Sequence, residues 1–164
     1  MSIFSDKLEE FKQVKYEVKS LIDLFPPSKR EEVLFDKWTL KDVIAHLSHW
    51  MEDDLHALNN LAHGKKSYWY PDIEKFNKEG VEKRKKLSWT LVCDEFVSLI
   101  SNLEAAYTNL PIELQESDMW ENHEGTPLRS LIVDIEHWSE EHVPSLTKAL
   151  EKLGIGANQI LENK

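Results

Sequence analysis

The chain carries one cysteine, Cys93, in 164 residues. An intrachain disulfide is excluded, and a reducing, cytoplasmic setting is expected. Glycine and proline are also scarce, at five and six, and they fall mostly at boundaries. Strand-like alternation is nearly absent, and no internal repeat or low-complexity tract stands out. No window approaches the roughly 18 uncharged apolar residues of a transmembrane helix. The opening MSIFSDKLEEFKQ is charged and lacks the apolar run of a secretory leader. Basic residues are the minority, 20 against 30 acidic ones, for a net charge of −10. That balance argues against general binding to nucleic-acid backbones or to anionic membranes. The one local basic run, Lys83-Arg84-Lys85-Lys86, fits a helix end complementing its dipole. No glycine-rich phosphate loop or nucleophile elbow occurs. Asp94 beside Cys93 disfavours a thiolate, so the cysteine reads as structural.

Against these absences, 41% of the chain is apolar, enough for one globular domain over residues 1–164. The apolar residues recur at helical spacing, which predicts an all-α fold. Helix one is expected from Ser5 to Phe25, stopped by Pro26-Pro27. Ser28 to Glu31 has capping-box form and predicts a short helical turn. Thr39 should cap helix two, with Asp42 meeting its free amides, and the helix should end near Gly64. A crossover over residues 64–88 holds an aromatic loop, Ser67 to Pro71, and a short helix from Asp72 to Lys86 interrupted by Gly80. Ser88 caps helix three, whose apolar side is Leu91, Phe96, Leu99, Ile100, Leu103 and Tyr107. Helix four starts at Thr126-Pro127 and runs to Gly154. Its stripe is Leu128, Leu131, Ile135, Trp138, His142 and Leu146, with a kink or lost hydrogen bond near Glu140 caused by Pro144. Four long amphipathic helices predict a four-helix bundle with a long crossover.

The chemistry-bearing residues gather on helices two and four. His46 lies three after Val43 and four before Trp50, so it faces inward. His142 shares the stripe of Trp138 and also faces inward. His137 falls on a flanking stripe with Asp134 and Glu141, which as a plain helix face would be solvated. Two inward imidazoles on separate helices can converge at one end of a bundle, and neutral imidazole suits transition metals. A stable site normally needs three ligands. His49, His137 and Glu141 are the candidates for the third. Trp50, Trp69, Tyr70 and Trp138 are the candidate apolar contacts for a small-molecule ligand, with Trp69 and Tyr70 at a pocket mouth in the crossover.

The stretch Trp38-Thr-Leu-Lys-Asp-Val-Ile-Ala-His46-Leu-Ser-His-Trp50 resembles the second-helix signature of the DinB-like superfamily. Trp69-Tyr-Pro-Asp-Ile-Glu-Lys-Phe-Asn77 and the Glu141-His142 pair are similar to its crossover and last helix. The resemblance spans essentially the whole chain. It implies a four-helix bundle, often a homodimer, in which many members bind a divalent metal. The ligands there are one histidine on helix two and an H-x3-H pair on helix four. His46 matches the first position and His142 the last. The middle position falls on Trp138, which cannot ligate. His137 is adjacent but rotated by ~100°, so it can substitute only in a distorted helix. Pro144 lies too far along to make that distortion the expectation. The pattern His-aromatic-x-Glu-Glu-His-x-Pro is similar to the branch containing the colibactin self-resistance hydrolases, which open an electrophilic cyclopropane.

Three functions fit these residues. The first is a hydrolase or transferase detoxifying an electrophile without metal, with His46 or His142 as general base and Glu141 as orienting group or acid–base. The second keeps a nickel, zinc or iron ion on His46 and His142 with His137, His49, Glu141 or water, for thiol-dependent transfer. The third is a non-catalytic binding module.

Overall fold

In the computed structural model, which describes residues 2–70 and 72–156, the chain is mostly helical. Helix α1 spans Ile3–Asp23. Ser2 caps it by accepting the Ser5 amide, so the expected cap, Ser5, already lies in the first turn. The predicted turn after the helix is a short 3₁₀ segment at Pro27–Lys29. An unexpected two-stranded antiparallel ribbon follows, β1 at Val33–Phe35 and β2 at Trp38–Thr39. Its tight turn holds Asp36 at φ 55°, a left-handed conformation that aspartate tolerates better than most residues. Two paired positions are too few for alternation to show in the sequence.

Helix α2, Leu40–Ala62, begins in a reciprocal capping box. Thr39 Oγ1 accepts the Asp42 amide while Asp42 Oδ2 accepts the Thr39 amide. Helix α3, Ile73–Arg84, is capped by Asp72 and runs through Gly80 without the expected break. A Cβ there would stand 2.5 Å from His49 Cβ, so glycine serves close approach of α3 to α2. Helix α4, Trp89–Thr108, is capped by Ser88 and buries Val92, Phe96, Leu99, Leu103 and Tyr107. Leu91, expected on that side, is 55% exposed, because Val92 takes the inward position.

The last helical run differs most from expectation. Helix α5, Pro127–His137, passes into a π-helical turn at Trp138–His142 and then into α6, Val143–Lys152. Pro144 has no N–H for the Glu140 carbonyl, and its ring crowds that oxygen. The wider turn relieves the crowding: the Val143 amide donates to the Trp138 carbonyl five residues back. The expected kink is thus one inserted residue rather than a simple bend.

Helix α2 packs on α3 and α4, while α1 packs on α4, α5 and α6. One apolar cluster runs through these contacts, from Phe11 and Val18 to Leu47, Leu103, Leu131 and Leu146. No helix among the described residues is long and apolar enough to cross a membrane.

Candidate functional site

Three histidines from two distant segments meet inside the helices. His46 comes from α2, His137 ends α5 and His142 ends the π turn. One ring nitrogen from each lies within 4.8 Å of the other two. Ring centroids are 5.6 Å apart for His46–His137, 5.4 Å for His46–His142 and 4.6 Å for His137–His142. In a straight α-helix, residues five apart would diverge by about 140°. The inserted residue cancels that divergence, so His142 stands to His137 as an i+4 neighbour would. Their Nε2 atoms are 3.0 Å apart, one imidazole donating to the other.

Burial sets the charge state. It pushes His46 down to about 3, aided by neighbouring His137. It pushes His142 down to about 2, aided by His137 and His46. His137 is lowered too, mainly by burial, with Glu141 pulling the other way. All three rings are therefore neutral near pH 7, the state in which imidazole offers a lone pair. His46 Nδ1 is buried without a hydrogen-bond partner among the described residues. Such an orphan costs roughly 1–3 kcal/mol. Two nitrogens on one tetrahedral zinc-type ion, each ~2.1 Å from it, stand about 3.4 Å apart. The 3.0 Å His137–His142 separation is close to that. The donor set, its neutrality and the orphaned nitrogen fit a divalent cation.

The other expected site residues are placed apart. Glu141 is exposed, its Oε2 3.6 Å from His137 Nε2, the nitrogen that also faces His142. His49 is turned to α3, its ring 4.2 Å from Phe76 and its Nδ1 3.6 Å from Glu52. Trp138 has no exposed surface for a ligand. It stacks on Phe96 at 6.0 Å, and Lys15 Nζ sits 3.1 Å from its ring centroid. Trp50 donates from Nε1 to Asn77 Oδ1 at 2.8 Å and packs on Phe76 and Trp69. Trp69 and Tyr70 line a cavity of about 570 Å³ with Asp53, His56 and Lys66. A larger cleft, about 920 Å³, is lined by Trp38 and Asn77 among charged residues of α3. The Trp38 ring packs 5.0 Å from His46, so this cleft abuts the histidine cluster.

A second buried polar group lay outside the sequence reading. Lys15, Asp54, Tyr107 and Asp134 are all buried, one from each of α1, α2, α4 and α5. Lys15 Nζ is 3.6 Å from Asp134 Oδ2. Burial lowers Lys15 to about 8, against the pull of Asp134 and Asp54. Burial and then the Asp134 carboxylate push Asp54 well above the usual carboxylate range. The signal was spacing. Lys15 continues Leu8 and Phe11 toward Val18 and Ile22, and Asp54 continues Leu47 and Met51 toward Leu58. Each polar residue occupies an inward position of an apolar stripe. Asp134, expected on a solvated face, is 7% exposed for the same reason: it falls between Leu131 and Trp138.

No protein-family model matches the chain, and no curated protein does. Among solved structures, the chain is similar to the crystal structure of an uncharacterised protein from Escherichia coli UTI89. The TM-score is 0.80 at 13% identity, over 93% of this chain and 95% of that one. At that identity the likeness shows a shared fold.

Proposed function

We propose that this protein is a DinB-like four-helix bundle that holds a divalent metal ion on His46, His137 and His142. With it the protein acts on a small electrophilic molecule as a hydrolase or transferase. The observation that carries this reading is the convergence of three neutral imidazoles, two buried and His137 half-buried, through a π turn. The turn supplies the ligand that Trp138 cannot. Nickel, zinc or iron would suit an all-imidazole set. A divalent ion there supplies Lewis acidity and a lowered pKa for a water or thiol.

The chain's own groups do the rest. His46, His137 and His142 are held as neutral donors by burial. Trp38 and Asn77 form the wall between the cluster and the 920 Å³ cleft, which falls within the ~300–1,000 Å³ usual for ligand sites. The metal-free alternative asks His46 or His142 to act as general base. A base works best with a pKa near the operating pH. Burial holds both rings well below that range, which favours the metal reading over this one.

Elemental analysis of untagged protein, before and after reconstitution with zinc, nickel or ferrous iron, tests the reading. The expected result is about one ion per chain, lost in His46→Ala and His142→Ala. Metal below stoichiometry in every preparation overturns it.

A further inference from the structure

The π turn that joins His137 to His142 begins at Trp138, and Trp138 is gripped from both sides. Phe96 on α4 stacks nearly parallel to the indole, at an interplanar angle of 10°. On α1, Lys15 places Nζ 3.1 Å from the ring centroid and 3.6 Å from Asp134 Oδ2. Asp134 and Trp138 flank His137 along the last helical run. A single ammonium therefore holds the helix on either side of the histidine.

We infer that Lys15 is a positioning residue for the histidine cluster. Its ammonium, seated on the Trp138 indole and paired with Asp134, fixes the orientation in which the His137 side of the turn opened by Pro144 meets His142. The inference rests on the histidine cluster being the working site. Lys15 is a poor stabiliser where it stands. It is 1% exposed, and among the described residues its Nζ makes no hydrogen bond and its one close carboxylate is beyond hydrogen-bond length. Asp54 and Glu104 add attraction only from farther away. A buried cation satisfied so poorly contributes little net stability, and an apolar side chain of similar volume often serves as well. What the ammonium provides is direction. An indole face attracts a cation, and the attraction strengthens out of water. The indole must present its face to α1 to receive it. In a plain α-helical register Trp138 and His142 would share one face, and His137 would turn away by ~100°.

Imidazole ¹⁵N NMR of the metal-free protein reads this orientation directly, through the tautomers of His137 and His142 and the coupling across their Nε2–Nε2 hydrogen bond. Cobalt(II) titration reads the assembled site, and Tm serves as the control. In Lys15→Met we expect the coupling to vanish and cobalt affinity to fall at least tenfold while Tm holds or rises. Lys15→Arg, which keeps a cation over the ring, should restore both signatures. Retention of the coupling and of affinity within twofold in Lys15→Met overturns the inference. If Lys15→Met fails to fold, Trp138→Leu, which removes the ring face but keeps an apolar side chain, decides by the same two readouts. Should the wild-type protein bind no metal, the proposed function fails, yet the NMR comparison still decides the role of Lys15.

Discussion

Arg84 and Lys15 are both cations at 1% exposure, and their surroundings differ sharply. Arg84 forms a fork with Glu95, its Nε and Nη2 each donating at 2.8 Å. Nη2 also reaches Glu52 at 3.1 Å. Both carboxylates keep part of their surface in water, at 33% and 40% exposure, so their desolvation is incomplete. Among the described residues, Lys15 has one carboxylate at 3.6 Å, two ring faces and no hydrogen bond. The first arrangement ties α3 to α2 and α4. The second sits beside the π turn and the histidines. A guanidinium with matched acceptors is a fastener, whereas an unmatched ammonium points to a conformational task.

The contrast breaks most visibly in stability at pH 7. Arg84→Met should cost about 3 kcal/mol, near the lower end for a broken buried pair, since both glutamates can rehydrate. Lys15→Met should stay within about 1 kcal/mol of wild type by the same reasoning. Urea unfolding of both variants checks this. Equal losses would erase the distinction between the two cations.

Alkaline pH sharpens it next. Lys15 titrates near 8 in the folded chain, below its ordinary 10.5. Between those values the unfolded chain binds a proton that the native chain does not. Stability contributed at this site therefore rises with pH across that window. Relative to Lys15→Met, the wild type should gain about 2 kcal/mol from pH 8 to pH 10. Subtracting the variant removes the other groups that titrate there. A difference flat in pH would mean that Lys15 is already well solvated or well paired.

What the sequence disclosed follows from which rules held locally. The cap at Thr39, the proline start at Pro127 and the stop at Gly154 depend on a few adjacent residues, and all are found in place. His46 and His142 were legible as inward because each lies on an apolar stripe. His137 was not, because the 100° rule assumes an unbroken helix. Pro144 announced a disturbance but not its form. The inserted residue relocates every side chain upstream of it relative to those downstream. Lys15, Asp54 and Asp134 were hidden by residue type rather than position. A charged residue at an inward position looks like an exception to the stripe until its opposite number on another helix is known.

Gly80 gives the smallest effect and the finest test of the fastener. Its carbonyl accepts Arg84 Nη1 at 3.5 Å, and its bare Cα lies against His49. On an exposed helix, Gly→Ala stabilises by roughly 1 kcal/mol through propensity alone. Here the new methyl would stand 2.5 Å from His49 Cβ and 2.6 Å from Cγ, atoms too near the α2 backbone to swing aside. Overpacking of that kind costs roughly 1–3 kcal/mol. The clash outweighs the propensity, so Gly80→Ala should lose about 1 kcal/mol net. Relief requires α3 to retreat from α2, which stretches the Arg84 contacts to Glu52 and leaves the π turn untouched. In an Arg84→Met background the same substitution should therefore cost less, because the contacts that resist retreat are already gone. A double-mutant cycle in urea measures that coupling. Strict additivity would separate the close approach at Gly80 from the ion pairs at Arg84, and leave α3 held by two independent contacts.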